Sequence, residues 1–198
     1  MPGSEPPCIP DIDGPFQKSS ASTSGKTGGD GRSFKGDGTR FEDYFAYGAD
    51  VLAVADGRVV SLANDEPEDA GAMQRPDETI EAYATRLRQG QSERLARGAV
   101  AVSGNFVMLD HGQNEFSMSA HLQPGRVRVK VGNQVKTGDV IGKLGSSGNS
   151  TEPHLHFQLS DTPDPLLSAG LPLNFTNVII PWADAPRPIQ SGDVVVAK

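Results

Sequence analysis

The sequence predicts a single, mostly antiparallel β domain with one inserted helix and a disordered N-terminal tail. Gly (23) and Pro (15) are frequent among the 198 residues, and both suit turns better than helix interiors. The apolar runs are short enough for strands, and one stretch alone repeats apolar residues with the period of a helix. A chain of this length accommodates one domain with an insertion.

Charge and cysteine content exclude several classes of function. The formal net charge is −7, so the chain offers no overall positive field to attract the phosphates of a nucleic acid. No run approaches the roughly 18 apolar residues that a membrane span requires. Cys8 is the single cysteine, which excludes an intrachain disulfide and a cysteine zinc cluster and predicts a spectator thiol. We therefore expect no nucleic acid partner and no membrane span.

The first part of the chain is predicted to hold a tail, a hairpin and a loop. Residues 1–34 are rich in Pro, Gly and Ser and have too few apolar residues to bury a core of their own. Two β-rich runs, residues 51–55 and 58–62, flank Asp56-Gly57, which is a strong hairpin signal. The acidic stretch 63–76 is expected to be a loop.

A helix is predicted to begin at Pro76-Asp77, with Asp77 as its cap. Gly90 is expected to break or fray this helix, because glycine is a poor residue for a helix interior. The apolar residues that recur with the helical period are Ile80, Tyr83, Ala84 and Leu87.

After Gly98 the sequence returns to β structure. Strands are expected over 100–110, 115–122, 134–136, 140–144 and 154–159, with alternating valines over 127–131. The last stretch carries six prolines and is interpreted as a wrapping segment with one late strand at 193–197. The predicted organisation is a disordered or irregular N-terminal tail (1–34), a β domain (35–160) with an inserted loop and helix (63–99), and a Pro-rich C-terminal segment (161–198).

Three of the four histidines fall on polar faces of predicted strands. His154 and His156 share one face of their strand, with Cα atoms about 6–7 Å apart. In the run 115–122, strict alternation puts His121 on the face opposite the apolar residues. If the two strands share a sheet, the three imidazoles converge in one wet cleft, where they could bind a metal ion or act in catalysis. His111 is expected to be a turn residue at a hairpin tip.

Several other catalytic arrangements are absent from the sequence. The helix-borne His-Glu-x-x-His string of many zinc peptidases does not occur, and neither do Walker A or Gly-x-Gly-x-x-Gly phosphate loops. The Gly-Ser-Ser-Gly stretch at 145–148 does not fit a Gly-x-Ser-x-Gly nucleophile elbow, and no helix is predicted after it.

A series of motifs in this order resembles the M23 metallopeptidases of the LytM and lysostaphin type. The matching stretches include residues 104–112, Ala-His-Leu at 120–122, residues 129–138, Gly-Ser-Ser-Gly-Asn-Ser at 145–150 and Pro-His-Leu-His-Phe at 153–157. The resemblance runs from Gly48 to Leu159 and is interrupted by residues 63–99. It implies an antiparallel β-sheet or split-barrel domain of M23 type with a substrate groove.

The resemblance also implies an activity, a cofactor and site residues. The activity is zinc-dependent hydrolysis of peptide cross-links in bacterial cell walls, with Zn²⁺ polarising the scissile carbonyl and lowering the pKa of its water. By the same resemblance His156 is a zinc ligand, His121 and His154 are catalytic, and Asn149 and Ser150 bind substrate. The implied partner is a peptidoglycan peptide, with another wall hydrolase as a second partner.

The sequence departs from the family in its upstream zinc ligands. The family takes a His and an Asp from a His-x-x-x-Asp pattern before the segment that corresponds to Gly48–Val60, whereas no histidine precedes His111 here. Two explanations stay open. The ligand-bearing strand is replaced, which leaves an inactive, non-catalytic peptidoglycan-binding or regulatory module, or the three histidines hold zinc together with a carboxylate such as Asp43.

Localisation follows from the family, because its substrate lies outside the cytoplasm. The resemblance implies an extracellular or periplasmic protein, but residues 1–8 show neither the basic nor the apolar region of a secretory signal. The sequence alone therefore leaves two expectations, a protein that stays inside the cell or a chain that is incomplete.

Overall fold

A computed structural model describes residues 21–75, 77–173, 175, 178–181, 183–185, 189, 193 and 195–197, with the backbone alone at 21–24 and 197. Its strands are β1 (Ala21–Ser24), β2 (Asp50–Leu52), β3 (Gly57–Ala63), β4 (Asn105–Asp110), β5 (Phe116–Leu122), β6 (Gln134–Val135), β7 (Val140–Lys143), β8 (Leu155–Ser160), β9 (Val178–Ile179) and β10 (Val196–Ala197). Two helices, α1 (Ile80–Arg97) and α2 (Ala99–Ser103), lie between β3 and β4. Cys8 and residues 1–20 of the predicted tail lie outside the described residues.

The strands confirm the predicted mainly β class. Six of them form one antiparallel sheet in the order β1-β8-β5-β4-β3-β6, and β2 with β7 and β9 with β10 form two further pairs. Because side chains alternate along a strand, the central strands present apolar residues to both faces. On one face Val107, Leu109 and Leu122 pack with Val51 and Ile141 of the β2–β7 pair.

The second face of the sheet carries a separate apolar cluster. Phe106 and Met108 of β4 pack there with Met118 and Ala120 of β5. All four are almost fully buried. His156 of β8 lies on this face, because it pairs directly with Ala120.

The hairpin predicted around Asp56-Gly57 is wrong. β2 pairs with β7 rather than with β3, and β3 pairs with β4 and β6. The Asp56 carboxylate accepts hydrogen bonds from the Lys136 ammonium at 2.7 Å and from the Thr137 amide at 2.8 Å. These long-range bonds hold the turn between two sheets, so the strands on either side of it separate.

The helix lies where it was predicted, but its cap, its continuity at Gly90 and the segment after it differ from the prediction. Thr79, not Asp77, caps α1, because its hydroxyl accepts a hydrogen bond from the Ala82 amide at 3.2 Å. The helix continues through Gly90, and residues 99–103, expected to begin a strand, form α2. No residue of α1 is buried, and Ile80 is 80% exposed, so the predicted apolar stripe does not join the core. No helix in the described part of the chain is both long and apolar enough to cross a membrane.

The predicted tail ends earlier than expected. β1 adds to the outer edge of β8, and Phe34 forms an antiparallel bridge with Tyr44. Backbone pairing therefore orders residues that lack an apolar core of their own.

The alternating valines over 127–131 form no strand, and Val131 is 62% exposed. Of the late strand expected at 193–197, Val196–Ala197 pairs with β9.

Candidate functional site

Three imidazoles converge at the edge of the β5–β8 pair. His121 lies near the end of β5, His154 directly precedes β8, and His156 lies within β8. The ring centroid of His121 is 4.8 Å from that of His154 and 5.7 Å from that of His156, with the rings nearly perpendicular. The convergence expected from the sequence is therefore present.

The route by which His121 reaches the other two differs from the prediction. Ala120 pairs directly with His156, so these two side chains share a face and strict alternation would send His121 to the opposite one. A bulge reverses this, because Ala120 and His121 together lie opposite the single residue Phe106. His121 adopts a φ of 62°, which few residues other than glycine adopt. The bulge also separates Leu122 from the apolar residues with which it was predicted to share a face.

Backbone carbonyls fix the tautomers of two of the rings. The Nδ1 atom of His121 lies 2.8 Å from the Ser147 carbonyl oxygen, and Nδ1 of His154 lies 2.7 Å from the Glu152 carbonyl oxygen. A carbonyl can only accept a hydrogen bond, so each Nδ1 carries the proton when the ring is neutral. Each Nε2 is then an unprotonated nitrogen, which can accept a proton or bind a cation.

Burial keeps these imidazoles neutral. Desolvation lowers the pKa of His121 to about 3, and the nearby His154 adds to the effect. Burial also lowers the pKa of His154, although its bond to the Glu152 carbonyl opposes the shift. Burial also lowers the pKa of His156, and repulsion from His154 makes a second, smaller contribution in the same direction. Near neutral pH the site therefore offers basic nitrogens rather than positive charge.

The loop between β7 and β8 supports the histidines with hydrogen bonds. Ser150 is 1% exposed, its hydroxyl donates to the Glu152 carbonyl at 2.8 Å, and it lies 3.4 Å from Nδ1 of His154. Ser150 is thus buried beside His154, and its predicted contact with substrate stays a prediction. Asn149 is half-buried, and its amide donates to the Val102 carbonyl at 2.8 Å. Its predicted contact with substrate stays a prediction.

Sequence reasoning assigned no role to Asn105, which ties this loop to the sheet. Asn105 is fully buried, its amide donates to the Ser147 hydroxyl at 2.9 Å, and its side chain donates to the Leu122 carbonyl at 3.1 Å. The side chain also exchanges hydrogen bonds with both backbone groups of Glu66. A polar residue that opens an otherwise apolar strand was the available signal.

The described residues do not complete the zinc site that the resemblance implies. Among them, no three His, Cys, Asp or Glu side chains group closely enough to hold a metal ion. The β1 residue opposite His156 is Thr23. The Asp43 carboxylate instead accepts from the Arg40 guanidinium at 3.0 Å, a bond that lowers the pKa of Asp43. A catalytic zinc site with three protein ligands does not fit this set, and the part of Asp43 in such a site stays a prediction.

His111 has a structural role, which goes beyond the turn role expected for it. Its Nδ1 lies 2.8 Å from the Asp56 carbonyl oxygen and its Nε2 lies 2.8 Å from the Ser117 hydroxyl. The ring therefore joins the turn after β2 to β5. A side chain at Gly57 would meet this ring at 2.9 Å, which explains the glycine there.

An open cleft of about 510 Å³ lies within the insertion and reaches Gly148 of the loop between β7 and β8. Charged side chains of both signs line it, and two of its ion pairs join Arg94 to Asp69 and Arg97 to Glu66. The insertion therefore supplies almost all of the lining of this depression, and Gly148 is the one lining residue from the loop that bonds the histidines.

Comparison with known sequences identifies the region that carries the histidines. Residues 92–167, which include His121, His154 and His156, match the model of peptidase family M23. Peptidoglycan DD-endopeptidase ShyA of Vibrio cholerae serotype O1 is 34% identical over 83 residues, which are 42% of this chain and 17% of that protein. Lysostaphin of Staphylococcus simulans is 53% identical over 38 residues, which are 19% of this chain and 8% of that protein. The chain thus spans less than a fifth of either relative in these matches.

Two solved structures also align with this chain. The catalytic domain of lysostaphin from Staphylococcus simulans aligns with a TM-score of 0.41 at 19% identity, covering 78% of this chain and 95% of that domain. A zinc-containing peptidase from Vibrio cholerae aligns with a TM-score of 0.38 at 21% identity, covering 63% of this chain and 26% of that one. The region that contains all three site histidines, residues 92–167, is therefore the part of this chain that is similar to peptidase family M23.

Proposed function

We propose that this domain binds the peptide part of bacterial peptidoglycan and acts on its cross-links as an endopeptidase, with His121 and His154 as the groups that exchange protons with the substrate. The observation that carries the proposal is the pair of neutral imidazoles whose Nδ1 protons are held by backbone carbonyls. The endopeptidase relative supports the choice of substrate.

The chemistry follows from the state of the two rings. Cleavage of a peptide bond needs a base that takes a proton from the attacking water and a donor that stabilises the developing oxyanion. A neutral imidazole with a fixed Nδ1–H presents Nε2 as that base, and a ring that has gained a proton at Nε2 can donate it to the oxyanion or the leaving amine. The ring spacing of 4.8 Å places both groups around one small volume.

A second candidate function is a binding or regulatory module that uses the same groove without cleaving its ligand. The observation that favours it is the incomplete metal-ligand set among the described residues. In this case the domain recognises wall peptides or another wall hydrolase. For both candidates we propose an extracellular or periplasmic location, because the substrate lies outside the cytoplasm.

One experiment separates the two candidates. Purified 198-residue chain is incubated with cross-linked peptide dimers isolated from peptidoglycan, with added Zn²⁺ or with EDTA, and products are identified by mass spectrometry. Zinc per chain is measured by elemental analysis and binding by calorimetry. The endopeptidase predicts cleavage that falls about 100-fold or more in His154→Gln, because a general base contributes at least that factor.

The matched control is His111→Gln, which removes an imidazole outside the site, with its folding checked by circular dichroism. Binding without cleavage, together with zinc far below one per chain after loading, selects the non-catalytic module. Absence of both binding and cleavage would contradict both candidates.

A further inference from the structure

One carboxylate of the insertion, that of Glu68, contacts the loop that bonds the His121 ring. Its Oε2 accepts a hydrogen bond from the Tyr47 hydroxyl at 2.8 Å, and its Oε1 accepts one from the Ser146 amide at 2.8 Å. The backbone of Glu68 also forms an antiparallel bridge with Ser147. The pKa of Tyr47 is raised by burial and by this bond, so its hydroxyl remains a donor across the physiological range.

Ser146 is the middle residue of a tripeptide that holds His121 at two points. The Gly145 amide donates to the His121 backbone carbonyl at 3.0 Å, and the Ser147 carbonyl accepts from the His121 ring at 2.8 Å. A side chain at Gly145 would collide with Oε1 of Glu68 and lie 2.7 Å from the Gln123 amide nitrogen. The glycine at 145 therefore allows Glu68 and the tripeptide to approach this closely.

We infer that Glu68 is a positioning residue for His121. The orientation of the Ser147 carbonyl depends on the backbone that leads to it, and Glu68 fixes the start of that backbone, the Gly145–Ser146 peptide, through the Ser146 amide. A hydrogen bond to a carboxylate is roughly twice as strong as one between neutral groups, so this contact restrains the loop more than a backbone bond does. Through the loop, Glu68 selects the Nδ1–H tautomer of His121 and leaves Nε2 as the acceptor.

The geometry separates this effect from general support of the fold. Asn105 bonds backbone groups of Glu66 and the Ser147 hydroxyl, and none of these bonds involves the Glu68 side chain or the Ser146 amide. His154 receives its restraint from Glu152, on a different part of the loop. Loss of the Glu68 carboxylate should therefore affect the ring of His121 and spare that of His154.

The relevance of Glu68 to catalysis rests on the proposed function, whereas its effect on His121 does not. The test is long-range ¹⁵N–¹H correlation NMR of the histidine rings in the full chain, in metal-free buffer without substrate. Signals of His121 and His154 are assigned from their single Asn variants. In the unchanged protein both rings should show a proton on Nδ1 alone.

Glu68→Ala should cause His121 to lose its single-tautomer signature and give averaged Nδ1 and Nε2 shifts, with His154 unchanged. Glu68→Gln should restore the original His121 pattern, because the amide oxygen still accepts from Ser146. The matched control is Glu93→Ala, which removes a carboxylate of the same insertion that bonds Gln89 on the exposed face of α1. Its spectrum should equal that of the unchanged protein.

The inference is overturned if His121 keeps its Nδ1–H pattern in Glu68→Ala, or if His154 changes to the same extent. If Glu68→Ala does not fold, Glu68→Asp is used, since its shorter side chain keeps the charge but withdraws the oxygen from Ser146. The same tautomer readout then decides. A chain that cleaves no peptide but shows the His121 change would contradict the proposed function and support the inference.

Discussion

The burial of His121 predicts a specific loss of stability in mild acid. Its pKa is about 3 in the folded chain against the ordinary histidine value of 6.5, so between these values the unfolded chain binds a proton that the folded chain does not. Stability therefore rises with pH across this window and is fully present above pH 6.5. Integrating from pH 7.5 to pH 5 gives a loss of about 2 kcal/mol from this ring alone.

The assay is urea denaturation at pH 7.5 and pH 5, comparing the free energy of unfolding of the unchanged chain with that of His121→Asn. Asparagine tolerates the positive φ at this position and can still donate to the Ser147 carbonyl. The variant should lose about 2 kcal/mol less than the unchanged chain does on acidification. Carboxylates change this comparison little. Those whose pKa is lowered by folding lose their contribution to stability only when the pH falls below the pKa values of the unfolded chain, 3.8 for Asp and 4.5 for Glu. An equal loss in both proteins would refute the reasoning.

Three further predictions concern the elements around the site. Gly104→Ala should destabilise the protein by about 3 kcal/mol in urea denaturation, because a Cβ at a φ of 67° would collide with the adjacent loop. Its control, Gly112→Ala, has a φ of 85° with open space around it and should cost about 1 kcal/mol; equal costs would contradict the collision. Ser150→Ala removes the bond to the Glu152 carbonyl and should cost about 1 kcal/mol in the same assay, whereas no change would remove its assigned role. Arg86→Ala removes the guanidinium bonds that join α1 to the loop before it, so trypsin should cut that loop faster while the sheet resists, and an unchanged rate would contradict this.

The histidine site could be predicted in its composition but not in its construction. The His-x-His spacing placed His154 and His156 on one side of their strand, and β8 keeps them there. The alternation argument for His121 gave the right neighbourhood for the wrong reason, because the bulge at Ala120 and His121 sets the direction of the ring. A bulge depends on how two strands pair, and one strand's residue pattern does not specify it.

The contacts that restrain the site were not visible in local patterns either. Asn105 and Glu68 lie 42 and 78 residues, respectively, from their partners Ser147 and Ser146. A polar residue in a strand or an acidic residue in a loop looks the same whether or not such a partner exists. The incorrect hairpin at Asp56 has the same origin, since its partners Lys136 and Thr137 lie 80 and 81 residues away.

The sequence by itself determined the β class, the position of the inserted helix and the set of histidines, because side-chain period and turn residues act over a few neighbours. Only the tertiary structure decided which strands pair, how His121 turns toward His154, and which groups hold both tautomers. These features depend on hydrogen bonds between distant segments, which become favourable only when the whole sheet assembles around its two apolar clusters.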